Sequence, residues 1–235
     1  MYLTSILASF LTATAAVSAF PSGEDSAKAH PKRPSLFVPG CPRKTTARFD
    51  KSVPEKDPFP VTHVDLCWQT ASLHLNFIAY NETSFYFDPK HGINDDIWKY
   101  EVMEAFISHG SEDPQTYLEF EVNPNNVSYH AIVFNPSKVR AEGAAFDHFF
   151  INNPHADGFS VATKLDRNAQ TWRSDVRIPL GLFNVERAQN TRWRMNFFRT
   201  VTSPEMFPNQ KLGGWNSPNK PSFHITPFFG DVILV

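Results

Sequence analysis

The stretch INDDIWKYEVMEAFISHG, residues 93–110, carries Trp98 and, six positions later, Glu104 between apolar neighbours. An indole offers a flat apolar surface to the C–H face of a pyranose ring, and a carboxylate accepts hydrogen bonds from paired hydroxyls. Among apolar residues that carboxylate is costly unless it is hydrogen-bonded or borders a wet groove. A groove for polyhydroxyl ligands would satisfy it. If residues 98 to 107 form one strand, Trp98, Tyr100, Val102, Glu104 and Phe106 share a face. Full extension then separates Trp98 from Glu104 by roughly 20 Å, at about 3.3 Å per residue. One sugar ring cannot span that distance, so joint action requires a turn or bulge near Trp98. The alternative is a core tryptophan, with Glu104 paired to Arg199 or Arg177.

Other residues invite different chemistry. In TYLEFEVN, Glu119 and Glu121 lie two apart on one strand face, about 6.6 Å between Cα atoms. Glycosidase carboxylate pairs use separations of about 5–5.5 Å or 6.5–9.5 Å, but a solvated strand face alternates acids in the same way. No Ser–His–Asp order or nucleophile elbow occurs. No catalytic residue is therefore assigned, and glycoside hydrolysis stands as the alternative activity. A haem-binding sandwich is a further alternative, needing a Met and a His on facing loops; Met103 with His130, or Met206 with His224, are the available pairs. The turn HGINDD places Asp95 and Asp96 where they could hold Ca²⁺ through oxygen ligands or cap the turn.

The elements that must position these residues read as short strands. VTHVDLCW sets Val64, Leu66 and Trp68 on one face, and SLHLNFIAY does the same for Leu73, Leu75, Phe77 and Ala79. TYLEFEVN turns Leu118, Phe120 and Val122 inward. YHAIVFNP, GFSVATKL, TWRSDVRIPL, RWRMNFFRTV and GDVILV continue the pattern. Turn signals such as NPNN, NNPHADG and NSPNKPS separate them, and PLGLFNVERAQ alone could hold a helical turn. The expectation is an all-β, antiparallel β-sandwich of jelly-roll type over residues 59–235.

Before it, residues 20–58 are rich in Pro and Lys and read as a leader, partly packed through Cys41. Residues 1–19 end in small residues after a short apolar run and read as a secretory signal. No second long apolar run suggests a membrane span. The net charge is −2, without the basic footprint of a nucleic-acid binder. The two cysteines, Cys41 and Cys67, make one disulfide the simplest reading for a secreted chain. The sequons NET at Asn81 and NVS at Asn126 predict surface glycosylation. A monomer is expected.

DIWKYEVMEAFI resembles the W-x5-E-x-F segment of carbohydrate-binding module family 9. YLEFEVNPNN, WRSDVRIPLGLF, RWRMNFFRT and the closing GWNSPNKPSFHITPFFGDVIL resemble further pieces of that family in the same order, together covering about residues 60 to 235. The resemblance implies a sandwich whose loops hold the end of a glycan between two aromatic side chains, with no catalysis of its own. Trp98 matches the first aromatic, Glu104 the hydroxyl-binding acid, and Phe223 falls where the second aromatic, a tryptophan, stands in xylanase-borne modules. Glu121 occupies the position of a sugar-binding arginine, so recognition of free reducing ends is in doubt. Asn196, Arg199 and Trp215 match positions of structural character. Structural calcium is a family property, although its ligands are not matched here. The implied partner is a plant or microbial cell-wall polysaccharide or oligosaccharide, met outside the cell.

Overall fold

The computed structural model describes residues 33–235; the expected signal peptide and the first part of the leader lie outside them. The strands in chain order are β1 (Ser35–Val38), β2 (Thr45–Lys51), β3 (Pro58–Gln69), β4 (Ser72–Ala79), β5 (Val102–His109), β6 (Thr116–Val122) and β7 (Ser128–Phe134). They continue with β8 (Asp147–Phe150), β9 (Ser160–Asp166), β10 (Thr171–Pro179), β11 (Thr191–Val201), β12 (Lys211–Gly214) and β13 (Gly230–Leu234). One sheet runs β2-β3-β4-β10-β9; the other runs β1-β13-β11-β5-β6-β7-β8, with β12 also on β11. Strand pairing is antiparallel except for β1 beside β13.

Alternation explains the sandwich. Leu73, Leu75, Phe77 and Ala79 of β4 meet Met103, Ala105 and Ile107 of β5 and Leu118, Phe120 and Val122 of β6 in one buried core. Each Leu, Ile, Val, Phe or Met side chain among them contributes about 1.5–3 kcal/mol on leaving water. The helical turn expected in PLGLFNVERAQ is a 3-10 turn at Leu180–Phe183.

The domain begins earlier than residue 59. β1 and β2 both lie inside the expected leader and are full members of the sheets. In β2 the sequence TTARFDK hides its period of two behind charges, because only Ala47 and Phe49 face the core of this edge strand. The Cys41–Cys67 disulfide is formed and ties the segment after β1 to β3. Asn81 and Asn126 are both exposed, at φ of 52° and 60°, a left-handed conformation that asparagine tolerates in turns.

Arg199 does not pair with Glu104. Its side chain is fully buried and crosses between the sheets, donating to Glu82 Oε2 at 2.8 Å, Tyr80 O at 3.1 Å and Thr62 Oγ1 at 3.3 Å. Glu101 lies beside this pair with no exposed surface, and its Oε2 accepts from the Tyr86 N–H at 2.7 Å. Burial first, then the charge of Glu82, push the Glu101 carboxyl up to about 8. In the unfolded chain it titrates near 4.3. The protonated acid thus stabilises the fold fully below about pH 4.3, and that contribution is lost as pH rises through about 8. Glutamine mimics the protonated form. The Tm of Glu101→Gln relative to wild type should rise steadily from about pH 5 to about pH 8 and then level. A difference that stays flat over that range in calorimetry would mean Glu101 is ionised at neutral pH.

Candidate functional site

Cross-strand register builds the floor of a cleft. Glu104 on β5 sits directly opposite Glu121 on β6, and Glu121 in turn opposes Tyr129 on β7. Glu119 lies two residues from Glu121, on the same face. This face points away from the sandwich core. It is not solvated, however: Glu104, Glu119 and Glu121 are 3%, 7% and 1% exposed. A second apolar cluster of Phe106, Tyr117, Val133, Phe198, Phe223 and Phe229 closes over the sheet beside them.

The closing segment after β12 forms that roof, and β11 pins it down. Asn196 Nδ2 donates to Asn216 O at 2.9 Å and to Phe228 O at 3.2 Å, while its Oδ1 accepts from the Asn216 N–H at 3.1 Å. Asn216 Nδ2 reaches Phe228 O at 2.8 Å. Two residues back along β11, Arg194 donates to the carbonyls of Thr226 and Phe229 and pairs with Asp113 at 2.9 Å. Gly230 must be glycine at this point, since a Cβ would stand 2.4 Å from the Trp215 ring.

Trp98 is not in a strand. It belongs to a 3-10 turn, Ile97–Lys99, and β5 starts only at Val102. The turn that joint action requires is therefore present, and Trp98, 47% exposed, lines the same cleft as Glu104. Gln210 donates to Trp98 O at 2.7 Å and steadies it. Phe223 borders the cleft from the roof, stacked on Phe198 with centroids 4.0 Å apart, and is 8% exposed. Its ring therefore presents an edge more than a face. Glu121 lies on the floor, and the cleft encloses about 560 Å³.

Asp95 and Asp96 lie elsewhere in their turn. Asp95 Oδ2 accepts from the Gly92 N–H at 2.7 Å, and Asp96 pairs with Lys99 at 2.6 Å. Of the two readings of this turn, calcium ligation or capping, these contacts are those of a capped turn, and among the described residues no third acidic or histidine side chain joins the pair. Of the haem candidates, Met103 and His130 stand on strands β5 and β7 instead of on facing loops, and His224 Nδ1 is held 2.8 Å from the Tyr117 hydroxyl.

Sequence reasoning missed Arg140 in this cleft and reached His224 only as a haem candidate. Arg140 reaches the rim with its guanidinium 4.4 Å above the Phe146 ring, and His224 places Nε2 3.7 Å from Glu119 Oε1. Burial drives Glu104 and Glu121 well above the usual carboxylate range, with carboxylate neighbours adding to it. Burial alone raises Glu119 to about 8, against the opposing charge of Arg140. The same burial, helped by Arg140, lowers His224 to about 3. That imidazole is neutral and offers Glu119 no counter-charge. The floor is thus a set of closely held oxygen donors and acceptors beneath an exposed indole.

Known structures share this architecture. A Bacteroides uniformis protein described as a candidate carbohydrate-binding protein superposes with a TM-score of 0.64 at 15% identity, covering 87% of this chain and 100% of the other. A family 9 carbohydrate-binding module of Caldicellulosiruptor kristjanssonii, in complex with cellotriose, superposes at 0.57 with 12% identity over 86% of this chain and 93% of the module. The fold is that of the family 9 carbohydrate-binding modules. No family model matches the chain. An extracellular protein of Arthroderma benhamiae is 58% identical over 202 residues, 86% of this chain and 91% of that protein. The chain belongs to the family of that extracellular protein. Among the described residues, no helix is long and apolar enough to cross a membrane.

Truncating Asn196 would orphan the backbone C=O and N–H of Asn216, while Phe228 O would keep only Asn216 Nδ2. Asn196→Ala should destabilise the protein by about 1–3 kcal/mol in urea unfolding. Amide exchange over residues 216–229 should speed up more than exchange in β4. Equal acceleration in both would mean the roof has no separate dependence on this side chain.

Proposed function

We propose that the protein is a secreted, non-catalytic carbohydrate-binding protein that takes cell-wall glycans or oligosaccharides of xylan or glucan type. The observation that carries this reading is the half-exposed Trp98 indole standing in one cleft with three closely grouped carboxyl groups. Stacking on Trp98 would cover one face of a sugar ring, and Glu104 and Glu121 would bind its hydroxyls. Phe223 would close the far wall, with less area for stacking than a tryptophan offers. The cellotriose held by the Caldicellulosiruptor module and the extracellular description of the Arthroderma relative support the same reading. So does the volume, which falls within the range of ordinary ligand pockets.

Calorimetric titration with cello- and xylo-oligosaccharides tests it. Wild type should bind, and Trp98→Ala should lose at least about tenfold in affinity, or about 1.4 kcal/mol. Its unfolding should stay within about 0.5 kcal/mol of wild type, because the side chain is largely a surface one. Absence of heat with every oligosaccharide would remove the reading. Release of reducing sugar by wild type, lost in Glu119→Gln, would favour hydrolysis over binding alone.

A further inference from the structure

We propose that Glu104, Glu119 and Glu121 form a site for one divalent cation of oxygen-ligand preference, Ca²⁺ or Mn²⁺, on the floor of the cleft. One oxygen from each carboxyl lies within 4.8 Å of the others. Two ligand bonds of about 2.3–2.6 Å across a calcium ion span that distance. A second, separate observation points to a missing ligand: Glu121 Oε2 has no hydrogen-bond partner, although the residue is 99% buried and lines the cleft.

The charge balance agrees. Like charges directly opposite on neighbouring strands destabilise a sheet, and Glu104 opposes Glu121 in that way. Among the described residues none of the three pairs with Lys or Arg. Arg140 lines the cleft but its guanidinium rests over Phe146, and His224 Nδ1 is engaged with the Tyr117 hydroxyl. A buried charge needs a partner or a metal. A dication would supply to these three groups what Arg199 supplies to Glu82 elsewhere in the fold.

The three donors come from two adjacent strands and approach from one side. The remaining coordination positions therefore face the cleft. Water would fill them in the free protein, and adjacent hydroxyls of a sugar lying against Trp98 would replace it; this use rests on the saccharide reading above.

The test begins with chelator-treated wild type, confirmed folded by circular dichroism. Mn²⁺ binding is followed by loss of the free-ion electron paramagnetic signal, and Ca²⁺ binding by calorimetry. One ion should bind per chain. Glu121→Gln and Glu104→Gln should each weaken binding at least tenfold, whereas Asp95→Asn should leave it unchanged. Both glutamine variants keep the side-chain shape. Their thermal unfolding gives a second readout: Ca²⁺ should raise the Tm of wild type and not theirs. No binding by folded wild type, or binding retained in Glu121→Gln, overturns the site. Titration of oligosaccharide with and without chelator then separates the two readings. Cation binding with no saccharide heat in either condition keeps the site and removes the saccharide reading. Saccharide binding that ignores the cation overturns the proposed bridging.

Discussion

Asn196 clasping Asn216 and Phe228 is the contact on which the cleft depends. It folds the closing segment back across the outer face of the larger sheet, and Arg194 fixes the same segment further along. Without that roof, Glu104, Glu119 and Glu121 would stand on an open strand face in water, with ordinary acidity and no special consequence. With it they are buried beside an apolar cluster, and their acidity changes accordingly. Two amide side chains thus convert an acidic stripe into the buried floor of a cleft.

The molecule handles buried acids in two ways. On the core side, Glu82 is matched by Arg199, and Glu101 beside it retains its proton. On the cleft side, three carboxyls have no cationic partner among the described residues. Burial pushes these acids too toward the protonated form, and the continuous core under β5 and β6 offsets what their burial costs. The acids that weaken the fold locally are thus the ones that line the floor of the cleft.

Much of the fold was legible in the sequence, because period-two alternation in β3, β4, β6 and β10 is strong and the turns between them carry Pro, Asn and Gly. β1 and β2 were obscured by a Pro- and Lys-rich surrounding composition. β8 and β12 have four residues each, too few to show a pattern. At the site, the shared face of Glu119 and Glu121 could be read from spacing, but their burial could not. Burial there comes from a roof some hundred residues away in sequence, and from the register that sets Glu104 opposite Glu121. Trp98 shows the same limit: alternation extended the strand through it, whereas the chain turns before Val102. Arg140 and His224 carried no local signal, since each enters the cleft from a loop.

One feature of the edge of the larger sheet bears on how the molecule resists force. β1 and β13 run parallel, Ser35 beside Asp231 and Val38 beside Leu234. A pull directed outward through the start of β1 and the end of β13 therefore slides the two strands along each other. Their hydrogen bonds are loaded together in shear instead of being opened one at a time as in a peeled hairpin. Behind them the Cys41–Cys67 bond stops the segment after β1 from paying out beyond β3. Tension along the chain is thus met first in shear, at an edge that β11 alone separates from the β5–β6 floor.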